Sequence, residues 1–333
     1  MRILIATDAW LPQTNGVVST LRQTVAQLTR SGHVVELLTP QGFKTIPCPG
    51  YAEIQLALGV QTAVRARFEE FRPEAVHVAT EGPIGLAVRA HCVALRYRFT
   101  TSYHTQFPQY LRKRLPVPLR FSYSLLRWFH GAGACCMVST PSMHSELEGR
   151  GFRNLARWRR GVDSLLFRPR DKSYLDLPRP IACYVGRLAV EKNIDAFLGM
   201  EWAGSKLVIG DGPERQRLQA RFPKAVFVGY RHGEDLAHHL AAADVMVFPS
   251  LTDTFGLVNL EAMACGVPVA AFPVTGPIDV IEDGVTGALG WDLAAAARRA
   301  LLARPADCRA RAEHSDWVSC TREFEANLVP SGV

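Results

Sequence analysis

Two carboxylates stand eight residues apart in the stretch SLTDTFGLVNLEAMACGVPVAA, residues 250–271, and the second, Glu261, sits in an otherwise apolar run. An acid there costs stability unless something pairs with it. The strand-like VMVFPS ends at Ser250, and the pattern predicts a loop over 251–256 and a helix from Leu257 to Ala264. The amides of Gly256, Leu257 and Val258 then open a helix, where unpaired N–H groups and the helix dipole bind phosphate. Glu261, one turn further in, can accept two hydrogen bonds from a vicinal diol such as a ribose. Asp253, in the loop ahead, can reach another polyhydroxyl group. The competing reading of Glu261 is a partly buried acid paired with an arginine.

VGRLAVEKNID, residues 185–195, places Arg187 at a strand end and Lys192 at the start of the next helix. Two cations converging at the mouth of a sheet suit a diphosphate whose negative charge grows as it leaves. In PQTNGVV, Gly16 opens the first helix and lets a backbone approach phosphate or sugar closely. His104, in TSYHTQF, ends a predicted strand and is expected to contact a sugar. His232, His238 and His239 fall on a polar helical stretch and are expected in solvent. GDGPER (210–215) resembles a glycine-rich phosphate turn but lacks the full GxGxxG. No Asp-x-Asp, HxxxH or Cys/His cluster marks a metal site, so neutralising a phosphate falls to Arg187, Lys192 and the helix terminus.

The elements that must position these groups read as parallel βαβ units. Short β-rich runs alternate with helical stretches: strands near 2–7, 34–39, 75–79, 99–105 and 134–140, then 181–187, 206–212, 225–230, 245–250 and 268–272. A Pro-rich, charged linker (159–180) separates the halves, and a last helical segment covers 316–328. A chain of 333 residues is expected to form two domains. The fold class expected is α/β, two Rossmann-like domains facing across a cleft, with ligands at the C-terminal strand ends.

Composition narrows the setting. No apolar run nears the roughly 20 residues needed to span a bilayer, and MRILIATDAW turns polar too soon for a signal peptide. Eight cysteines without CxxC spacing suggest reduced thiols in a cytosolic setting. Net charge is +7 and uneven: residues 1–160 hold 20 Lys/Arg against 9 Asp/Glu. From Gly82 to Ser145 there is no acid, eight Lys/Arg occur, and Tyr97, Phe99, Tyr103, Phe107, Tyr110, Phe121, Tyr123, Trp128 and Phe129 lie among them. Such a face attracts an anionic surface, lipid or nucleic acid, unless it is an ordinary solvated face with core aromatics between its charges.

Together these residues resemble the retaining GT-B glycosyltransferases of glycosyltransferase family 4, especially bacterial GDP-mannose-dependent α-mannosyltransferases and enzymes that glycosylate membrane lipids. The resemblance is carried by TDAWLPQTNGVVSTL, SYHTQFPQYL, RGVDSLLFRP, GRLAVEKN, GDGPE, FVGYRHGEDLA and SLTDTFGLVNLEAMACGVPV, and covers nearly the whole chain. It implies an N-terminal acceptor-side domain (1–165), a nucleotide-sugar domain (166–305) and a C-terminal helix (306–330) crossing back to the first. Asp253 and Glu261 match the family's pair of acids, the first touching the transferred sugar and the second the ribose. Arg187 and Lys192 match its diphosphate pair, Gly16 its glycine near the donor phosphate, and His104 its sugar-facing histidine. Val228 to Arg231, with Tyr230 and Arg231, match the segment at the base. The family more often has Glu as the first acid, so the hydroxyl read by the shorter Asp253 stays open.

The function implied is metal-independent retaining transfer of a hexosyl unit from a nucleoside-diphosphate sugar (GDP-mannose or UDP-hexose), with no cofactor beyond that co-substrate. The acceptor is a lipid, and the basic, aromatic stretch from Leu111 to Phe129 docks the protein as a peripheral protein on the inner face of the membrane. The same chemistry on a soluble or polysaccharide acceptor is the alternative. A nucleic-acid-binding protein would explain the charge asymmetry but gives Glu261, Asp253, Arg187 and Lys192 no role.

Overall fold

The structure is a computed structural model that describes residues 1–48, 51–114 and 117–332, apart from the side chains of 51–53 and 113–114. Contacts divide the chain into two units: Met1–Arg159 together with the segment from Trp317 onward, and Arg160–Asp316.

The first unit contains β1 (Arg2–Ala6), β2 (Val34–Leu38), β3 (Thr45–Cys48), β4 (Tyr51–Ala57), β5 (Ala75–Val78), β6 (Thr100–Ser102), β7 (Cys135–Val138) and β8 (Leu155–Arg157). Six of them form one parallel sheet in the order β2-β1-β5-β6-β7-β8, and β3 pairs β4 in an antiparallel hairpin. The second unit repeats the plan with β9 (Ala182–Val185), β10 (Lys206–Ile209), β11 (Val226–Gly229), β12 (Val245–Phe248), β13 (Val269–Ala271) and β14 (Gly287–Leu289). Its parallel order is β11-β10-β9-β12-β13-β14. Central strands such as ILIA, ACYV and VMVF are covered on both faces and are therefore apolar at nearly every position. The fully buried Leu4, Val76, Val78 and Val88 anchor one core, and Cys183, Met246, Met263 and Val269 anchor another.

Each sheet reverses its strand order once, at β1/β5 and at β9/β12, which is where open α/β sheets leave a crevice at their C-terminal edge. The second unit runs on to Asp316, past the expected end at 305. The helix Pro305–Glu313 stays with it because Arg309 donates to the carbonyls of Ala264 at 2.8 Å, Phe167 at 2.6 Å and Ser164 at 2.9 Å. The last helix, Trp317–Asn327, packs in the first unit against the helix Gly16–Arg30. Residues expected as a linker, 160–180, belong to the second unit and carry a 3₁₀ turn at Lys172–Tyr174. No disulfide joins any of the eight cysteines. Among the described residues no helix is long and apolar enough to cross a membrane.

Candidate active site

At the β9/β12 crevice the chain leaves β9 through Gly186, Arg187 and a 3₁₀ turn, Val190–Lys192. Lys192 therefore sits in a tight turn ahead of the helix Ile194–Gly199, where a helix start was expected. The Tyr184 hydroxyl donates to the Arg187 carbonyl at 2.8 Å and fixes the turn. Asn193, left-handed at φ 53°, donates to the Pro249 carbonyl at 3.1 Å and ties the loop after β9 to the loop after β12. Asparagine tolerates that backbone better than most residues. The buried Glu191 carboxylate lies 3.9 Å from the Arg187 guanidinium.

The loop after β12 delivers Asp253, whose two oxygens accept from Lys192 Nζ at 3.0 and 2.9 Å. Gly256 then turns at φ 82°, and the helix Leu257–Ala264 begins as the pattern predicts. A side chain at Gly256 would come within 2.6 Å of the Asn259 amide and 3.0 Å of the Phe248 ring, so only glycine fits the turn. No side chain caps this helix, and the amides of Gly256, Leu257 and Val258 are left as donors. Asn259 behind them is buried, with both side-chain polar atoms unmatched. Glu261 is half-buried and, among the described residues, its carboxylate has no hydrogen-bond or ion-pair partner, so the pairing with an arginine is absent. Burial pushes its carboxyl up to about 7.

The remaining predicted residues lie elsewhere. Tyr230 and Arg231 follow β11, two strands from β9. Tyr230 stacks with His232 at 6.1 Å, and Arg231 pairs with Asp235 at 3.3 Å. Gly16 opens the helix after β1, and His104 follows β6, both in the first unit. In the GDG turn a Cβ at Gly210 would stand 1.9 Å from the Gly186 carbonyl oxygen and one at Gly212 2.4 Å from that of Leu188, so these glycines let two backbones touch. His239 is a correction: expected in solvent, it is buried, 3.0 Å from Asp235 and edge-on to Tyr174. Sequence reasoning passed over Glu191, Asn193 and Asn259, which stand within the motifs it used but on no recognisable spacing.

Two Rossmann-like units, each built on a parallel sheet, one of which brings Arg187, Lys192, Asp253 and an uncapped helix terminus to its switch point, define a GT-B sugar-nucleotide enzyme. The chain belongs to glycosyltransferase family 4 and is a nucleotide-sugar-dependent hexosyltransferase. The family profile "Glycosyltransferase Family 4" matches residues 14–164, and "Glycosyl transferases group 1" matches 179–303. The chain is 31% identical over 315 residues to a GDP-mannose-dependent alpha-mannosyltransferase of Mycobacterium tuberculosis, covering 87% of this chain and 83% of that protein. It is 25% identical over 352 residues to the alpha-monoglucosyldiacylglycerol synthase of Streptococcus pneumoniae, covering 92% and 79%. Among solved structures, Anabaena HepE in complex with UDP and glucose superposes with TM-score 0.75 at 17% identity over 98% of both chains. Sucrose-phosphate synthase from Thermosynechococcus elongatus superposes at 0.79 and 21% identity, over 98% and 97%.

Proposed function

We propose that the protein transfers a hexosyl unit from GDP-mannose or a UDP-hexose, with retention of configuration, to a lipid acceptor at an anionic membrane surface. The observation that carries the donor half is the group at the β9/β12 crevice: a Lys192–Asp253 pair, Arg187, an uncapped helix terminus and an unpartnered Glu261. Donor binding exchanges partners. Lys192 leaves Asp253 for the diphosphate, and Asp253 turns to a sugar hydroxyl. The ribose diol supplies the partner that Glu261 lacks. Arg187, Lys192 and the amides of Gly256, Leu257 and Val258 take up the charge that develops on the leaving diphosphate. The acceptor oxygen attacks the anomeric carbon from the face the diphosphate leaves. A departing phosphate oxygen takes the acceptor's proton, which preserves configuration without a protein nucleophile. Tyr230 and Arg231 flank the base, Gly16 the donor phosphate, and His104 the sugar. The mannosyl and glucosyl activities named for the relatives support a hexose donor.

Membrane docking is supported by one helix, Leu119–Gly131. Phe121, Leu125 and Trp128 recur at i, i+4 and i+7, and are 67%, 54% and 53% exposed, an apolar ridge left open to solvent. Arg120 on this helix and Arg112 on the preceding one, Phe107–Arg114, are exposed with it. The aromatics of the acid-free stretch divide: Phe99, Tyr103, Tyr123 and Phe129 are core, while Phe107, Phe121 and Trp128 face outward. The side chains of Lys113 and Arg114, with Leu115 and Pro116, lie outside the described residues. Each cation near an anionic leaflet adds roughly 1 kcal/mol.

Two assays test the halves separately. Incubation with several nucleotide sugars should release free nucleoside diphosphate from one of them, and release from none refutes the donor assignment. Vesicles with anionic lipid should bind the protein and neutral vesicles much less. Added salt should weaken binding as the Debye length falls from about 10 Å at 0.1 M to about 3 Å at 1 M. Binding indifferent to lipid charge would remove the membrane and leave transfer to a soluble or polysaccharide acceptor.

A further inference from the structure

Two helices of the first unit leave apolar side chains in water next to each other. The helix Pro83–Leu95 joins β5 to β6, and the helix Leu119–Gly131 completes the connection from β6 to β7. Both connections cross between neighbouring parallel strands, and a single hand of crossover lays them on one face of the sheet. Val88 and Cys92 of the first helix share a core with Phe129 of the second. Arg89 ties the two together. Itself buried, it donates through Nε to the Phe129 carbonyl at 3.0 Å and through Nη2 to the Trp128 carbonyl at 2.8 Å. Those carbonyls lie in the last turn, where a helix leaves acceptors unpaired and its dipole is negative. The same guanidinium stands 3.7 Å from the centroid of the Trp128 ring, which holds the indole against the first helix.

What the helix Pro83–Leu95 shows to solvent is unlike an ordinary surface helix. Its exposed positions are Leu86, Ala90, Val93, Ala94 and Leu95, the first four on one stripe at i, i+4, i+7 and i+8. The helix Val60–Phe71, packed against its other side, exposes Gln61, Arg65, Glu69 and Glu70 instead. Leu86 and Val93 flank Arg89 on the helix surface, so the stripe adjoins Trp128 and its ridge. Apolar surface gathered in one exposed patch marks a place where something else binds.

We infer that the two helices form one docking face, and that the stripe on Pro83–Leu95 enters the same anionic leaflet as the ridge from Phe121 to Trp128. This rests on the membrane reading and adds a second helix to it. Charge selects the occupant. Arg96, just past the first helix, and Arg120, at the start of the second, are both exposed, and no acid occurs from Gly82 to Ser145. A second copy of the chain, paired through this patch, would set these cations against their own kind. An anionic lipid surface sets phosphates against them and accepts the apolar side chains beneath.

Vesicle binding and hydrogen exchange test it. Wild type should bind vesicles of mixed phosphatidylglycerol and phosphatidylcholine. The double variant Leu86→Ser/Val93→Ser, which removes apolar surface and no charge, should bind them about 10-fold more weakly. Its melting profile and nucleoside diphosphate affinity should match the wild type. On vesicle-bound wild type, amide exchange should slow in both helices. If the double variant does not fold, exchange in the wild type carries the test alone. Undiminished vesicle affinity in the variant, or protection confined to Leu119–Gly131, overturns the inference and leaves docking by that helix standing. A wild type that binds no vesicle overturns both. A concentration-dependent dimer that the double variant abolishes in sedimentation would give the stripe to a second copy and overturn the inference as well.

Discussion

The helix termini at the two switch points differ in one respect that matters for chemistry. In the first unit the helix Gly16–Arg30 is capped by Asn15, whose side-chain Oδ1 accepts from the amides of Val17 and Val18, each at 3.0 Å. The helix Pro83–Leu95 is also capped: Asp8 accepts from Ile84 at 2.9 Å, Gly85 at 3.3 Å and the Thr80 hydroxyl at 2.8 Å. In the second unit the helix Leu257–Ala264 has no capping side chain, and the carboxylate inside it has no partner among the described residues. Satisfied termini stabilise a fold, whereas open ones are available to a ligand. The comparison teaches that the open helix terminus on which the proposed donor site depends belongs to the second unit. The first unit, by contrast, offers at Gly16 one amide next to a closed cap.

Breaking the open side should have the largest effect. Arg187→Ala or Lys192→Ala is expected to cut kcat by about 10²-fold or more with a smaller change in KM, because charge on the diphosphate grows toward the transition state. Steady-state kinetics with the accepted donor measures it, and near-wild-type kcat in both variants would refute the assignment. Asp253→Asn should slow sugar transfer less severely and leave nucleoside diphosphate affinity nearly unchanged, since its partner in the donor is the sugar. A large loss of diphosphate affinity in that variant would move Asp253 to the nucleotide. Breaking the closed side should be mildest. Asn15→Ala should lower stability by ~1 kcal/mol in denaturant titration and leave donor affinity alone. A marked loss of affinity would show that the first helix also holds the donor.

Much of this arrangement was legible in the sequence because each half repeats one local rule. Apolar runs gave the central strands of both sheets, and the helix Leu257–Ala264 begins and ends where the glycine and the apolar pattern place it. What escaped depended on distant partners. The Lys192–Asp253 pair joins residues sixty-one positions apart, and nothing local announces it. His239 looked solvated by its neighbours but is drawn inward by Asp235 and Tyr174, the latter from the segment expected to be a linker. The hairpin β3–β4 was missed because Pro47 interrupts its first strand and its edge position leaves little apolar alternation. Asn193 and Asn259 carry no spacing signal: one acts through a left-handed backbone and the other through burial, and both emerge only in three dimensions.

Glu261 is where the central claim is most exposed. Its carboxyl stands near 7 in the folded protein against an ordinary value of 4.5, so the folded state keeps a proton that the unfolded state has lost between those limits. The stability this contributes is full below about 4.5 and is lost as pH rises through about 7. Glu261→Gln should remove that slope and leave the protein folded. Nucleotide binding should draw the carboxylate into its charged form, because the ribose diol donates two hydrogen bonds to it. Wild-type affinity for nucleoside diphosphate should therefore rise with pH through 7. The ligand's own phosphate titrates near pH 6, so the comparison must be made with Glu261→Gln, which shares that contribution. The most direct measurement is calorimetric titration of nucleoside diphosphate into both proteins at pH 5.5, 7 and 8. The account predicts an excess proton release in the wild type near pH 7 and a loss of roughly 1.5–3 kcal/mol in the variant at pH 8. Equal affinity and equal proton release in the two proteins at every pH would contradict it.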